Sequence, residues 1–287
     1  MTGPLAFVGF GEAGLAFSRP GDRAFDIRTE SAATRDAQHA AYAAAQVTGV
    51  AARADLSTGA SAVLSLVTAD QAVAAARAFA PLLPPGTLWL DMNSVAPDTK
   101  RAAGAIIDGA GGRYVDVAVM SPVYPARHGV PLLLAGAHAA DAARLMTDAG
   151  FTHVSVAGPA IGDASAIKMI RSVMVKGIEA LSAECIRAAA AAGVADAVIA
   201  SLDASWREQS WADRFDYNLD RMLAHGLRRA AEMEEVVLTL ESLGVDPAMT
   251  RGTIARQREL GSLGLTPPDG LSAKLAAIRN ASTREAA

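Results

Sequence analysis

Six residues near the start constrain this chain most: Gly9-Phe10-Gly11-Glu12-Ala13-Gly14. The apolar stretch Pro4–Phe10 reads as a short buried strand running into them, and a helix-like stretch follows. A G-x-G-x-x-G turn in that setting has a specific physical content. The first glycine permits the tight bend, the second lets a pyrophosphate approach the backbone, and the third lets the helix pack close to the strand. The helix start then offers unpaired N–H groups and the positive end of its dipole to phosphate. The motif is weak alone; lying between a strand and a helix is the context that makes it a dinucleotide cradle. Gly9, Gly11, Glu12, Ala13 and Gly14 are therefore candidate cofactor-binding residues.

Ser18-Arg19-Pro20-Gly21-Asp22 ends the first helix, and a second strand is expected at about Arg23–Ile27. In a dinucleotide fold the end of this strand faces the adenosine ribose. An acid there binds the 2′-hydroxyl of NAD, whereas an arginine accommodates the 2′-phosphate of NADP. Asp26, Arg28 and Thr29 offer both. Arg28 and Thr29 together tilt the expectation towards NADP over NAD, while Asp26 argues the other way; the alternative is a pair of solvated loop charges.

The next segments alternate. A helix is expected at Ala32–Gln46, a weak strand at Gly49–Ala52 and a buried strand at Ala62–Val67. A helix ending before Pro81, a strand at Thr87–Met92, a helix at Pro97–Ala110 and a strand at Arg113–Val119 follow. Strands at Pro131–Ala135 and Phe151–Val156 flank a helix at Ala139–Asp148. Such alternation implies a largely parallel sheet. After Gly158-Pro159 the pattern changes. Nothing breaks a helical reading from Gly162 to Ala192, and no convincing strand follows; helices are expected at Ala195–Leu202, about Asp213–Leu243 and about Pro247–Leu260, with Asn280–Ala287 frayed. The fold expected is an α/β Rossmann-type N-terminal domain over residues 1–159 followed by an all-α C-terminal domain over 160–287.

A chain of 287 residues, 51% hydrophobic, has enough apolar material for two folded domains. A net charge of −4 without a long basic block argues against a nucleic-acid partner. One cysteine, Cys185, excludes an internal disulfide, and charges interrupt every apolar stretch before membrane-spanning length. No signal peptide is readable, and a cytoplasmic protein with no membrane partner and no metal site is expected.

Lys168 sits in the long helix with Ser165 and Ser172 on the same face, at i−3 and i+4. A lysine there can hydrogen-bond a substrate oxygen and exchange a proton with it, or simply be a solvated surface group. Asn93 and Ser94 also read as a cap for the helix that begins at Pro97. Trp206, Trp211, Phe215 and Tyr217 cluster in one stretch and read as core or subunit interface, with a substrate box as the alternative.

Four segments together resemble the β-hydroxyacid dehydrogenase superfamily, which includes 3-hydroxyisobutyrate and 6-phosphogluconate dehydrogenases. They are Val8–Gly14, Leu90-Asp91-Met92-Asn93-Ser94, Asp116–Val123 and Gly162-x-x-Ser165-x-x-Lys168-x-x-x-Ser172. The resemblance implies an NAD(P)-dependent oxidoreductase acting on a small hydroxy or keto acid, with Lys168 as the catalytic proton carrier. It also implies Ser121 as a substrate ligand, Val67, Thr68 and Asn93 beside the nicotinamide ribose, and a homodimer formed through the helical domain. The chain departs from the pattern in three places. Pro122-Val123 replaces a Gly-Gly pair, Ser172 stands where the family has asparagine, and no lysine occurs near Arg228-Arg229. His225, Arg228, Arg229 and Glu232, spaced over two helical turns, are read as a replacement substrate-binding face or as an exposed charged face; arginines facing the site suit a carboxylate or phosphate. Imine reductases share the architecture but typically carry another residue at the lysine position. A cofactor-binding regulatory protein without turnover is the third reading.

Overall fold

The computed structural model describes residues 3–205 and 210–285, so Trp206 lies outside the described residues. The strands are β1 (Leu5–Val8), β2 (Arg23–Phe25), β3 (Thr48–Gly49), β4 (Ala62–Ser65), β5 (Leu88–Asp91), β6 (Arg113–Val119), β7 (Leu132–Ala135) and β8 (Val154–Gly158). They form one eight-stranded sheet in the order β3-β2-β1-β4-β5-β6-β7-β8. Neighbours pair in parallel except β6 and β7, which run antiparallel. The link between those two carries only a short 3-10 turn at Arg127–Gly129. A parallel return needs a longer crossover, usually a helix.

The inner strands of the sheet are buried on both faces, and their side chains divide by the two-residue period of a strand. Leu5 and Phe7 of β1, Leu64 of β4, Leu90 of β5 and Val117 of β6 enter one core. That core is covered by α1 (Glu12–Phe17), α2 (Arg35–Ala44) and α5 (Ala139–Asp148), through residues such as Phe17, Tyr42 and Met146. Ala6 and Val8, Val63, Trp89 and Tyr114 point the other way, into a core closed by α3 (Ala72–Phe79) and α4 (Pro97–Gly109). Helices on both faces of a mostly parallel sheet make the N-terminal part Rossmann-like, as its alternating pattern implies.

The remainder is helical: α6 (Asp163–Ala191), α7 (Ala195–Ser205), α8 (Trp211–Ser242), α9 (Ala248–Ser262) and α10 (Leu271–Glu285). The chain forms two compact units, Met1–Val173 and Met174–Ala287. Within the second, Glu184 of α6 accepts the backbone N–H groups of Met249 (2.7 Å) and Thr250 (3.0 Å) and the Thr250 hydroxyl, 2.5 Å away. It therefore caps the start of α9. Burial opposes its ionisation, but these bonds outweigh burial and hold its pKa below the usual glutamate value.

The last helix departs from expectation, because α10 occupies most of the segment expected to fray. Its Lys274 is 3% exposed and pairs with Asp216 of α8 at 2.9 Å and with Asp220 at 3.6 Å. Those partners lie more than fifty residues upstream, where a local pattern does not register them. Among the described residues, no helix is long and apolar enough to cross a membrane, and no group of three or more His, Cys, Asp or Glu is placed to hold a metal ion.

Candidate functional site

The turn between β1 and α1 opens onto a cavity of about 600 Å³ lined by Gly9, Gly11, Asp26, Arg28, Val67 and Thr68, among others. Gly9 has φ +85°, and a Cβ there would lie 2.6 Å from the Leu66 carbonyl oxygen. A Cβ on Gly11 would meet nothing within 4 Å, so the backbone here faces open space. The start of α1 has no side-chain cap. An open glycine backbone beside an uncapped helix start and a concave apolar wall fits a dinucleotide. Glu12, Ala13, Gly14, Thr29 and Asn93 lie outside the cavity lining.

Asp26 and Arg28 are held together rather than presented separately. Asp26 is 6% exposed, and each of its carboxylate oxygens accepts two hydrogen bonds. Oδ1 takes the Arg28 N–H (2.9 Å) and Nε (3.0 Å); Oδ2 takes the Phe10 N–H (2.7 Å) and Arg28 Nη2 (3.0 Å). Burial opposes ionisation of Asp26, but the Arg28 side chain and the two backbone donors more than offset it and depress its pKa. Thr29 donates its hydroxyl to the Asp26 carbonyl at 2.7 Å. Arg53, which sequence reasoning missed, also lines the cavity; its guanidinium lies 5.2 Å from the Phe25 ring centre and pairs with Glu30 at 2.7 Å. Its position follows from β3 pairing beside β2, a neighbour relation set by sheet order and absent from local sequence.

At the ends of β4 and β5 a second group assembles. Lys168, half-buried on α6, donates to Ser94 Oγ at 2.6 Å. Asn93 is 5% exposed; its amide nitrogen donates to Asp91 Oδ1 (2.8 Å) and Ser65 Oγ (3.1 Å), and its backbone N–H also reaches Asp91 Oδ1 (2.9 Å). The cap expected from Asn93 and Ser94 does not form: α4 begins after Ala96 without a side-chain cap.

Beneath this group lies an ion cluster with no counterpart in the sequence reading. Lys100, fully buried on α4, donates to the Asp91 carbonyl (2.5 Å), Asp91 Oδ1 (3.1 Å) and the Val117 carbonyl (3.3 Å). Its ammonium also lies 3.3 Å from Asp116 Oδ1, which accepts no hydrogen bond among the described residues because the three ammonium protons are directed elsewhere. Tyr114 donates to Asp91 Oδ2 at 2.8 Å. Burial, reinforced by the Asp91 charge, pushes its phenol far above the usual range, so it remains a donor. Asp116 Oδ2 accepts the N–H groups of Gly162 (3.1 Å) and Ser165 (3.0 Å), which caps α6 one turn before Lys168.

The other expected site residues are placed as follows. Ser121 is exposed, its hydroxyl directed to the Pro122 carbonyl at 3.3 Å. Ser172 donates back to the Lys168 carbonyl at 2.9 Å, a bond internal to α6. His225 is exposed and Arg229 half-buried on α8, in the second unit, and the Arg229 Nε is buried without a hydrogen-bond partner among the described residues. The side chain of Glu232 lies outside the described residues.

Residues 4–149 match the NAD binding domain of 6-phosphogluconate dehydrogenase, about half of the chain. The chain belongs to this family. Its NAD(P)-binding part is the sheet that carries the glycine turn and the cavity. Residues 189–260 match a domain of unknown function, DUF1932. No curated protein matches the chain. Among solved structures, a conserved hypothetical protein from Sinorhizobium meliloti 1021 is 34% identical, with 98% of this chain and 97% of that one covered and a TM-score of 0.61. A conserved protein of unknown function, described as structurally similar to 3-hydroxyacid dehydrogenases, is 27% identical over 96% of this chain and 99% of its own, with a TM-score of 0.58. An imine reductase from Pseudomonas sp. shares the fold, with a TM-score of 0.73 at 15% identity over 98% of this chain and 100% of its own.

Proposed function

We propose that this chain is an NAD(P)-dependent oxidoreductase that acts on the CH–OH or carbonyl group of a small hydroxy or keto acid, with Lys168 as proton donor and acceptor. Residues 1–159 would hold the cofactor, and residues 160–287 would complete the substrate site and form a homodimer in the cytoplasm. The observation that carries this reading is the Lys168–Ser94 hydrogen bond of 2.6 Å at the strand ends of an NAD(P)-binding domain. The bound nicotinamide supplies or takes up the hydride at the substrate carbon. Lys168 gives its proton to the carbonyl oxygen in reduction and receives it from the hydroxyl in oxidation. The Ser94 hydroxyl, accepting from the same ammonium, orients it. Ser121 and Ser172 would contact the substrate hydroxyl, and His225 and Arg229 its carboxylate. In that role Ser172 would turn away from the Lys168 carbonyl. Glu12, Ala13, Gly14 and Thr29 would border the phosphates, with Val67, Thr68 and Asn93 nearer the nicotinamide.

A panel of hydroxyacids and cyclic imines assayed with both cofactors tests the reading. Turnover of acids alone supports it. Turnover of imines alone replaces it with the imine reductase chemistry of its structural neighbours. Cofactor binding without any turnover replaces it with the regulatory reading.

NADP is the cofactor we favour. All four bonds that Asp26 accepts come from the chain itself, so a ribose 2′-hydroxyl would have to displace Arg28 to reach it. Arg28, with nearly half of its side chain exposed, and Arg53 present cations to the same cavity. Arg28→Ala should weaken NADPH binding by about 10- to 100-fold, the range of hydrogen bonds to charged groups, and NADH binding much less. Calorimetric titration of both cofactors decides it; tighter NADH than NADPH binding by the unaltered protein would reverse the assignment.

A further inference from the structure

We propose that Lys100 is a positioning residue that sets the geometry of the Lys168–Ser94 pair. The proposal deepens the oxidoreductase reading and rests on it for its functional meaning. The chain has four lysines among 26 lysines and arginines, and this one is fully buried. A buried cation is costly unless its partners repay desolvation, and removing one member of such a cluster is far worse than replacing a balanced set.

The partners of Lys100 lead outward in two directions. Through Asp91 Oδ1 it reaches the backbone and side chain of Asn93, which holds the loop that carries Ser94. Through Asp116 it reaches the N–H groups of Gly162 and Ser165, which fix the first turn of α6, one turn before Lys168. One ammonium thus lies between the carboxylate that anchors Ser94 and the carboxylate that anchors Lys168. Without it, Asp91 and Asp116 would face each other as buried like charges, and repulsion would drive them apart. Tyr114 satisfies the outer oxygen of Asp91, so that carboxylate is held from the strand side as well. Lysine suits the position better than arginine. A compact ammonium with three donors fits between the paired residues Asp91 and Asp116 of neighbouring strands, where a planar five-donor fork would not.

The experiment reads Lys168 directly and needs no substrate. The cofactor-free protein is acetylated with trace acetic anhydride, and the modification rate at each lysine is measured by peptide mass spectrometry. Ser94→Ala, which removes the Ser94 hydroxyl as an acceptor for the Lys168 ammonium, should raise Lys168 acetylation by about three- to ten-fold, the range of one lost hydrogen bond. Lys100→Met alone leaves two buried carboxylates unopposed, so it is paired with Asp116→Asn. That double variant keeps the net charge of the cluster, and the oxygen of the introduced amide can still accept from Gly162 and Ser165. It should raise Lys168 acetylation to the Ser94→Ala level, leave Lys274 unchanged, and add nothing when combined with Ser94→Ala. A folded double variant with unaltered Lys168 acetylation would overturn the proposal. So would additive effects in the triple variant, or an unaltered rate in Ser94→Ala. Absence of turnover across the substrate panel would instead count against the oxidoreductase reading and leave the acetylation result intact.

Discussion

Replacing Lys168 with Met should lower turnover by about 10²- to 10⁴-fold, the usual contribution of a positioned proton donor, while NADPH affinity stays within about two-fold. Methionine keeps the length of the side chain and favours a helix, so α6 should persist. What disappears is the ammonium that donates to Ser94. Lys168 is not among the residues that line the cavity beside the glycine turn, which is why cofactor binding should survive. Little stability is at stake, because the bond is exposed and a solvated Ser94 can turn to water. Steady-state kinetics on the best panel substrate, with calorimetry of NADPH binding, gives both quantities. Unchanged turnover would remove Lys168 from the mechanism. A parallel loss of NADPH affinity would assign it to cofactor binding instead.

Gly9→Ala should be the most damaging single change in the cofactor half. At φ +85° an alanine is already strained, by about 1–3 kcal/mol. Its Cβ would also lie 2.6 Å from the Leu66 oxygen and 2.9 Å from the Leu66 carbonyl carbon. These are backbone atoms with little freedom to move. The Leu66 N–H is bonded to the Val8 carbonyl at 2.8 Å, and the Gly9 N–H to the Phe25 carbonyl at 2.9 Å. The variant should therefore lose thermal stability even without cofactor. Gly11→Ala is the informative partner, because its Cβ meets nothing within 4 Å and its φ is negative. It should leave the melting temperature of the cofactor-free protein nearly unaltered while weakening NADPH binding by about ten-fold or more, since the new methyl group fills space the pyrophosphate needs. Equal melting temperatures for Gly9→Ala and the unaltered protein would mean that the turn tolerates a side chain, against the close approach of Leu66.

Much of this architecture is legible in local sequence because its signals are local. Strand-length runs such as Ala62–Val67 and the glycine turn act over a few residues, and β6 at Arg113–Val119 and α5 at Ala139–Asp148 fall where the pattern puts them. The antiparallel pairing of β6 and β7 is less legible, since it depends on a link too irregular for a crossover. Helix α10 is invisible to local pattern because its anchor, Lys274, acts through carboxylates on α8.

Hydrophobic periodicity, a property of short stretches, already encodes a glycine-turn Rossmann sheet followed by helices, and the resemblance to a family motif points to Lys168. What those residues touch was settled by the fold. It brought Arg53 beside Asp26 and Arg28, set Ser94 against Lys168, and placed Lys100 between Asp91 and Asp116. Hydrogen bonds and ion pairs of this kind depend on distances of about 3 Å between groups far apart in the chain, and strand order sets those distances. The glycine turn says that phosphate can approach; the neighbouring strands decide which charges it meets there.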